Sequence, residues 1–192
     1  MGIKQTLDVI NAMEYDGIIR RYAIAGAVAA YNYIEPTVTD DLDLLVSFSE
    51  RASIPQSGLM TLGPVFSYLR AKGYEEHRKE GLVIEGWPVQ FLPVASDLDT
   101  EALAQARPIT IELGKAEGSV RTRVLRPEHL VAISLRVGRP KDLLRIAQFL
   151  TEEAVDLPAL CEILQRHNLN ESWKAFCRRS GIADPCALQA KS

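Results

Sequence analysis

Through the first 126 residues, short apolar runs of strand length alternate with stretches of helical spacing; from Pro127 onward only helical spacing remains. That order limits the fold more than any other feature of the chain. Ile3, Leu7, Ile10 and Met13 recur at helical intervals and predict a first helix that stops near Asp16-Gly17. Tyr22–Ala25 reads as a short buried strand, Gly26 breaks it, and a helix opens at Ala27. A polar turn at Glu35-Pro36-Thr37 leads to a second strand, Leu42–Val46, with carboxylates set into it. Residues 49–58 form a loop rich in Ser, Pro and Gly, and Leu59–Lys72 form a helix closed by Gly73. Apolar runs at 82–84 and 89–92, separated by Glu85-Gly86-Trp87-Pro88, predict a hairpin. A short helix over 99–106 and a strand pair, 109–113 with 120–125, complete this part. Helices are then expected over 127–137, 141–151, 157–166 and 171–179. Such an order favours an α+β domain over a doubly wound parallel sheet. It divides the chain into a mixed-sheet core, residues 1–126, and a helical subdomain, residues 127–192, packed on it.

A chain of 192 residues suits one domain of this kind with a helical extension. The net charge of -3 argues against a protein that binds phosphate backbones generically, although it says nothing about a local basic cleft. Cys161, Cys177 and Cys186 are odd in number and lack close pairs, so neither a disulfide framework nor a zinc site is expected. They read as thiols without a disulfide partner in a reducing compartment. The first residues form an amphipathic pattern rather than a signal peptide, and no run approaches the roughly 18 apolar residues that span a bilayer. A cytoplasmic protein without a membrane partner is the expectation.

The chemistry of the chain is concentrated at Asp41 and Asp43. Carboxylates at i and i+2 of a strand project from one face, about 6.5–7 Å apart along the chain. Leu42, Leu44 and Val46 then point the other way, into an apolar layer. Such a pair can bracket divalent ions about 3.5–4 Å apart, a separation suited to in-line displacement at phosphorus. Two like charges side by side raise each other's pKa, a penalty that a cation removes, and hard oxygen ligands select Mg²⁺ or Mn²⁺ over zinc. Taken alone, the same spacing also describes a solvated strand face. Upstream, the strand that ends at Gly26-Ala27 opens directly into a helix, and glycine lets backbone approach a ligand closely.

Together these features resemble a known signature. The stretch IAGAVAAYNYIEPTVTDDLDLLV, residues 24–46, is similar to that of the DNA polymerase β-like nucleotidyltransferase superfamily: an apolar residue, Gly-Gly or Gly-Ser, a helix and loop, then Asp-apolar-Asp-apolar on the next strand. Thr39 precedes the acidic pair, as is frequent there; Ala27 departs from the usual Gly or Ser and removes a hydroxyl contact to phosphate. A second stretch, LRPEHLVAISLRVGRPKDLLRI, residues 125–146, resembles AbiEii-type toxins and related small bacterial nucleotidyltransferases, whose helix is followed by an Arg-x-Lys/Arg-Asp element. Arg139, Lys141 and Asp142 match it. The resemblance implies a nucleotidyltransferase fold with a mixed, mostly antiparallel sheet flanked by helices. It implies Mg²⁺ or Mn²⁺ on Asp41 and Asp43, a nucleoside triphosphate seated on Gly26 and Ala27, and Arg139 or Lys141 reaching its phosphates. It also implies an RNA, protein or small-molecule acceptor and a place in a toxin–antitoxin module with a cognate protein partner. An equal reading of Arg139–Asp142 is a helix start, with Pro140 near N1 and Asp142 in the first turn.

In that superfamily a third carboxylate follows the hairpin, and by order the matching residue in PVQFLPV is Gln90. An amide can coordinate through its carbonyl oxygen but carries no charge and is no general base. Glu85 is the nearest acidic candidate, and two turns fit the hairpin. A Gly86-Trp87 turn makes Glu85 a diagonal neighbour of Gln90, about 7–8 Å away between Cα atoms; a Glu85-Gly86 turn points it into solvent. His77, His129 and His167 are too scattered for a metal cluster, and Trp87 and Phe91 fit hairpin packing better than stacking on a base. Two functional readings therefore stand: a Mg²⁺-dependent enzyme, or a degenerate domain of the same fold that binds a nucleotide or protein without catalysis.

Overall fold

The computed structural model describes residues 2–48, 62–114 and 118–189. The expected loop at 49–58, the first residues of the helix expected from Leu59, and residues 115–117 of the turn at 114–119 lie outside these ranges. Within them, helix α1 (Ile3–Tyr15) leads to strand β1 (Arg21–Ile24), helix α2 (Gly26–Ala30), strand β2 (Leu42–Ser47) and helix α3 (Gly63–Ala71). Strands β3 (His77–Arg78), β4 (Gly81–Ile84) and β5 (Trp87–Pro93) follow, then helix α4 (Asp97–Ala104) and the hairpin β6 (Arg107–Glu112) and β7 (Ser119–Val124). Five helices follow among the described residues: α5 (Pro127–Val137), α6 (Pro140–Thr151), α7 (Leu157–Arg166), α8 (Asn170–Ser180) and α9 (Pro185–Gln189).

All seven strands form one mixed sheet in the order β3-β4-β5-β2-β1-β7-β6, flanked by helices in an α+β arrangement. β2 runs parallel to β5 and β1 parallel to β7; the other pairings are antiparallel. On β2, Leu42, Leu44, Leu45 and Val46 are all buried, so this central strand is covered on both faces and Asp43 interrupts an otherwise apolar element. α1 spans the sheet: its Thr6 hydroxyl donates to the Ile84 carbonyl (2.9 Å) and its Asn11 amide to the Arg121 carbonyl (3.0 Å). Leu7, Ile10 and Met13, one helical face, are fully buried beneath it.

α5 is the pillar of the helical part. Its residues from Pro127 to Leu135 are buried apart from the half-buried Ile133, and it packs on α6, α7 and α8 while also meeting α4 and α2. The apolar core runs without a break from Leu7 to Cys177, so the terminal helices complete the core of the sheet. His129 and His167, distant in sequence, meet at Glu101 of α4 at 3.3 and 2.8 Å, where Arg166 also pairs. Burial alone would raise the Glu101 carboxyl, but Arg166, His167 and His129 outweigh it and lower it to about 2.

The cysteine expectation is corrected. α7 packs on α9, which brings the Cα atoms of Cys161 and Cys186 to 5.5 Å, and the two form a disulfide. They lie 25 residues apart, joined by a return of the chain after α8 that spacing alone does not reveal. Cys177 is a free, buried thiol, pushed up to about 11 by desolvation. No described helix is long and apolar enough to cross a membrane.

Candidate functional site

The end of β1 is built around Asp43. The Ala25 amide donates to the Asp43 carbonyl (2.8 Å), continuing the β1–β2 ladder one residue past the strand. The chain then turns through Gly26 at φ +59°, a left-handed conformation that costs a side-chain-bearing residue free energy. A Cβ there would also collide with the Asp43 carboxylate, lying 2.9 Å from its Cγ. Two independent constraints thus fix glycine at this turn. In α2 the first helical bond runs from the Ala29 amide to the Ala25 carbonyl (3.2 Å), leaving the amides of residues 26–28 before it.

Asp43 is half-buried, and desolvation, followed by the neighbouring Asp41 charge, raises its pKa; Lys141, Arg139 and Arg145 partly offset this. Thr39 holds Asp41 through a hydroxyl bond to Oδ1 at 2.7 Å. Across the parallel pairing, Gln90 is the register partner of Asp43. From the other wall comes the joint between α5 and α6. Gly138, left-handed at φ 70°, ends α5, and Pro140 starts α6, which places Arg139 and Lys141 at the opening of the new helix. Asp41, Asp43, Gly26, Ala27, Gln90, Arg139 and Lys141 all line one cavity of about 220 Å³.

Arg139 has a partner of its own. Its Nε donates to Oδ2 of the buried Asp142 (2.7 Å), and Arg145 lies 3.6 Å from the other carboxylate oxygen. Asp142 is therefore paired inside the protein, in the first turn of α6 as the helix-start reading has it, and Arg139 also lines the cavity. Lys141 is exposed and has no ion-pair partner among the described residues.

Glu85 does not belong to the site. Ile84 pairs with Trp87, so the turn is Glu85-Gly86, with φ of 50° and 91°, the geometry of a two-residue hairpin turn. Its carboxylate accepts from the Tyr74 hydroxyl at 2.6 Å. The carboxylate that does reach Gln90 is Glu80, from the Lys79-Glu80 turn between β3 and β4: Gln90 Nε2 donates to Glu80 Oε2 at 3.0 Å. Glu80 lines a second cavity, also about 220 Å³, that shares Asp41, Asp43, Gln90, Arg139 and Lys141 with the first. No sequence signal marked it, because a two-residue strand carries no period. Trp87 and Phe91 line neither cavity; Phe91 is buried, and Trp87 packs against the core.

No protein-family model matches the chain, and no curated protein matches it. The site's donors are all oxygen: two carboxylates, the Gln90 amide and, one step out, Glu80. Among the described residues no group of three or more His, Cys, Asp or Glu side chains is arranged to hold a metal ion. That donor set fits Mg²⁺ or Mn²⁺ in the form these ions commonly take, on one or two carboxylates with the remaining positions left to water and phosphate oxygens.

Proposed function

We propose that this chain is a nucleotidyltransferase that moves a nucleoside monophosphate from an NTP to a hydroxyl acceptor. The observation that carries this reading is the fitted contact of Gly26 with Asp43, in a cavity whose opposite wall presents Arg139 and Lys141. Paired carboxylates beside the Lys141 ammonium and the Arg139 guanidinium on one cleft match an anionic ligand that brings its own divalent ion. The resemblance to the polymerase β-like superfamily and to AbiEii-type proteins points the same way.

On this reading Asp41 and Asp43 hold Mg²⁺ or Mn²⁺, which when bound neutralises the carboxylate pair and draws charge from the phosphate oxygens. Thr39 fixes the orientation of Asp41 through its hydroxyl bond. Lys141 supplies an ammonium to the phosphate chain, and Arg139, anchored by Asp142, supplies a preset guanidinium. The close backbone of Gly26 and Ala27 lets the ligand approach the carboxylates without a side chain between them. The acceptor hydroxyl oxygen attacks the α-phosphorus and gives up its proton to solvent, the bond to the bridging oxygen breaks, and pyrophosphate leaves.

One observation favours a second reading, a domain that binds the nucleotide without transfer: the register partner of Asp43 is the uncharged Gln90. Incubation with each α-labelled NTP, Mg²⁺ or Mn²⁺ and total RNA or protein decides between them. Label transfer that Asp43→Asn abolishes supports the enzyme; tight nucleotide binding without transfer supports the binding module.

A further inference from the structure

The two cavities that meet at Asp41 and Asp43 differ in character. The one toward Glu80 is walled by Arg78, Lys79 and Gly81. The other runs between the sheet and α5 and is walled by Leu92, Leu125, Leu130, Ile133 and Val137. On its α5 side the single polar side chain is Ser134; at its rim Asp142 is committed to Arg139 and Arg145. The carboxylates and cations therefore stand at the junction of a polar and an apolar compartment.

Resting on the nucleotide reading, we infer that the apolar compartment takes the base of the NTP and accepts all four bases nearly alike. The whole cavity, its carboxylate end included, is about 220 Å³, below the ~300–1,000 Å³ of pockets that enclose a whole drug-sized ligand, so its apolar end suits one planar moiety rather than an entire nucleotide. Continuity fixes which moiety: with phosphates drawn to Arg139 and Lys141, the part of the ligand that reaches Leu130 and Ile133 is its least polar end. Base faces bury well against aliphatic walls, and Val137, 47% exposed, leaves the compartment open enough for base edges to keep water. Strong discrimination between bases requires buried groups that hydrogen-bond one edge and are left unpaired by another. Among the described residues the α5 side offers only the Ser134 hydroxyl, and the Arg145 guanidinium at the rim faces Asp142.

The test is calorimetric titration of the full chain with Mg²⁺ complexes of ATP, GTP, CTP, UTP and inorganic tripolyphosphate. The four NTPs should bind within about 3-fold of one another and at least ~10-fold more tightly than tripolyphosphate. Ser134→Phe, which fills the compartment, should bring every NTP to the tripolyphosphate level and leave tripolyphosphate itself unchanged. Ile133→Ala, a milder change at a half-buried position, should weaken NTPs about 3–10-fold, again sparing tripolyphosphate. NTPs no tighter than tripolyphosphate would overturn the inference while leaving the phosphate site intact, as would one base preferred by more than about 30-fold. Failure of both NTP and tripolyphosphate to bind would instead remove the nucleotide reading on which it rests.

Discussion

A Cβ built on Gly26 would stand 2.9 Å from Cγ and 3.1 Å from Cβ of Asp43. The turn after β1 and the carboxylate on β2 are therefore fitted to each other, and a side chain at position 26 would displace the carboxylate. Gly26→Ala should displace the Asp43 carboxylate and also place an alanine at φ +59°. A stability loss of about 1–2 kcal/mol is expected from the backbone term alone. Thermal melts and Mg²⁺–nucleotide titration check this; a variant that melts and binds like wild type would refute the fitted contact.

Asp43 gives a pH signature. Desolvation and the Asp41 charge raise its pKa above the ordinary 3.8, so the folded protein binds this proton more tightly than the unfolded chain. Its contribution to stability is fully present below the unfolded value and is lost as pH rises through the raised one. In metal-free buffer Asp43→Asn should thus melt above wild type at pH 7, with the gap closing as pH falls through the carboxylate range. Mg²⁺ should raise the melting temperature of wild type and not of the variant. A less stable Asp43→Asn at pH 7 would show that the carboxylate is structural.

Glu80 and Gln90 form an amide–carboxylate pair at the Asp43 register position, and the pair can be exchanged. Glu80→Gln combined with Gln90→Glu keeps the hydrogen bond and moves the charge onto β5 beside Asp43. Mn²⁺ affinity, followed by electron paramagnetic resonance, should rise about 3–10-fold in the exchanged variant. Gln90→Glu alone sets two carboxylates against each other and should lower the melting temperature. Equal Mn²⁺ affinity in wild type and the exchanged variant would place this pair outside the cation site.

Glu101 ties α4 to α5 and α7 through His129, His167 and Arg166. With its carboxyl lowered from 4.5 to about 2, its stabilisation is fully present above the unfolded value and is lost as pH falls toward the lower one. Glu101→Gln should cost on the order of 2 kcal/mol at pH 7, with a smaller difference near pH 3. Denaturant unfolding at the two pH values measures it; a constant difference would mean that charge is not what Glu101 contributes.

The parts of the site that were legible in the sequence are those in which one residue contradicts its element. Asp43 stands in a buried apolar strand, and Gly26 ends one strand as a helix opens, so each was visible locally. Gln90 followed because β5 is long enough to show its period. Glu85 and Glu80 were not legible in this way: a one-residue difference in the hairpin turn sends Glu85 to Tyr74 instead of Gln90, and β3 is only two residues long. The sharing of Arg139 between Asp142 and the cavity depends on how α6 is placed relative to the sheet, which local pattern does not carry. The Cys161–Cys186 bridge and the meeting of His129 with His167 depend on helices packing across long separations, which local pattern does not encode. Within the described residues β3 and α9 were not expected, and the other helices and strands differ mostly at their ends, where caps decide: Ser96 accepts from the Asp99 amide and starts α4 earlier than its apolar spacing suggests.

The central claim is that Asp41 and Asp43 form a cation-dependent nucleotide site, and one titration tests it most directly. Wild type and the Asp41→Asn, Asp43→Asn double variant are titrated with ATP in the presence of Mg²⁺ and again with EDTA, and circular dichroism confirms that both are folded. The account predicts Mg²⁺-dependent binding by wild type and a loss of at least ~10-fold in the double variant, down to the level seen with EDTA. Affinity that is the same in both proteins, or indifferent to Mg²⁺, would contradict it.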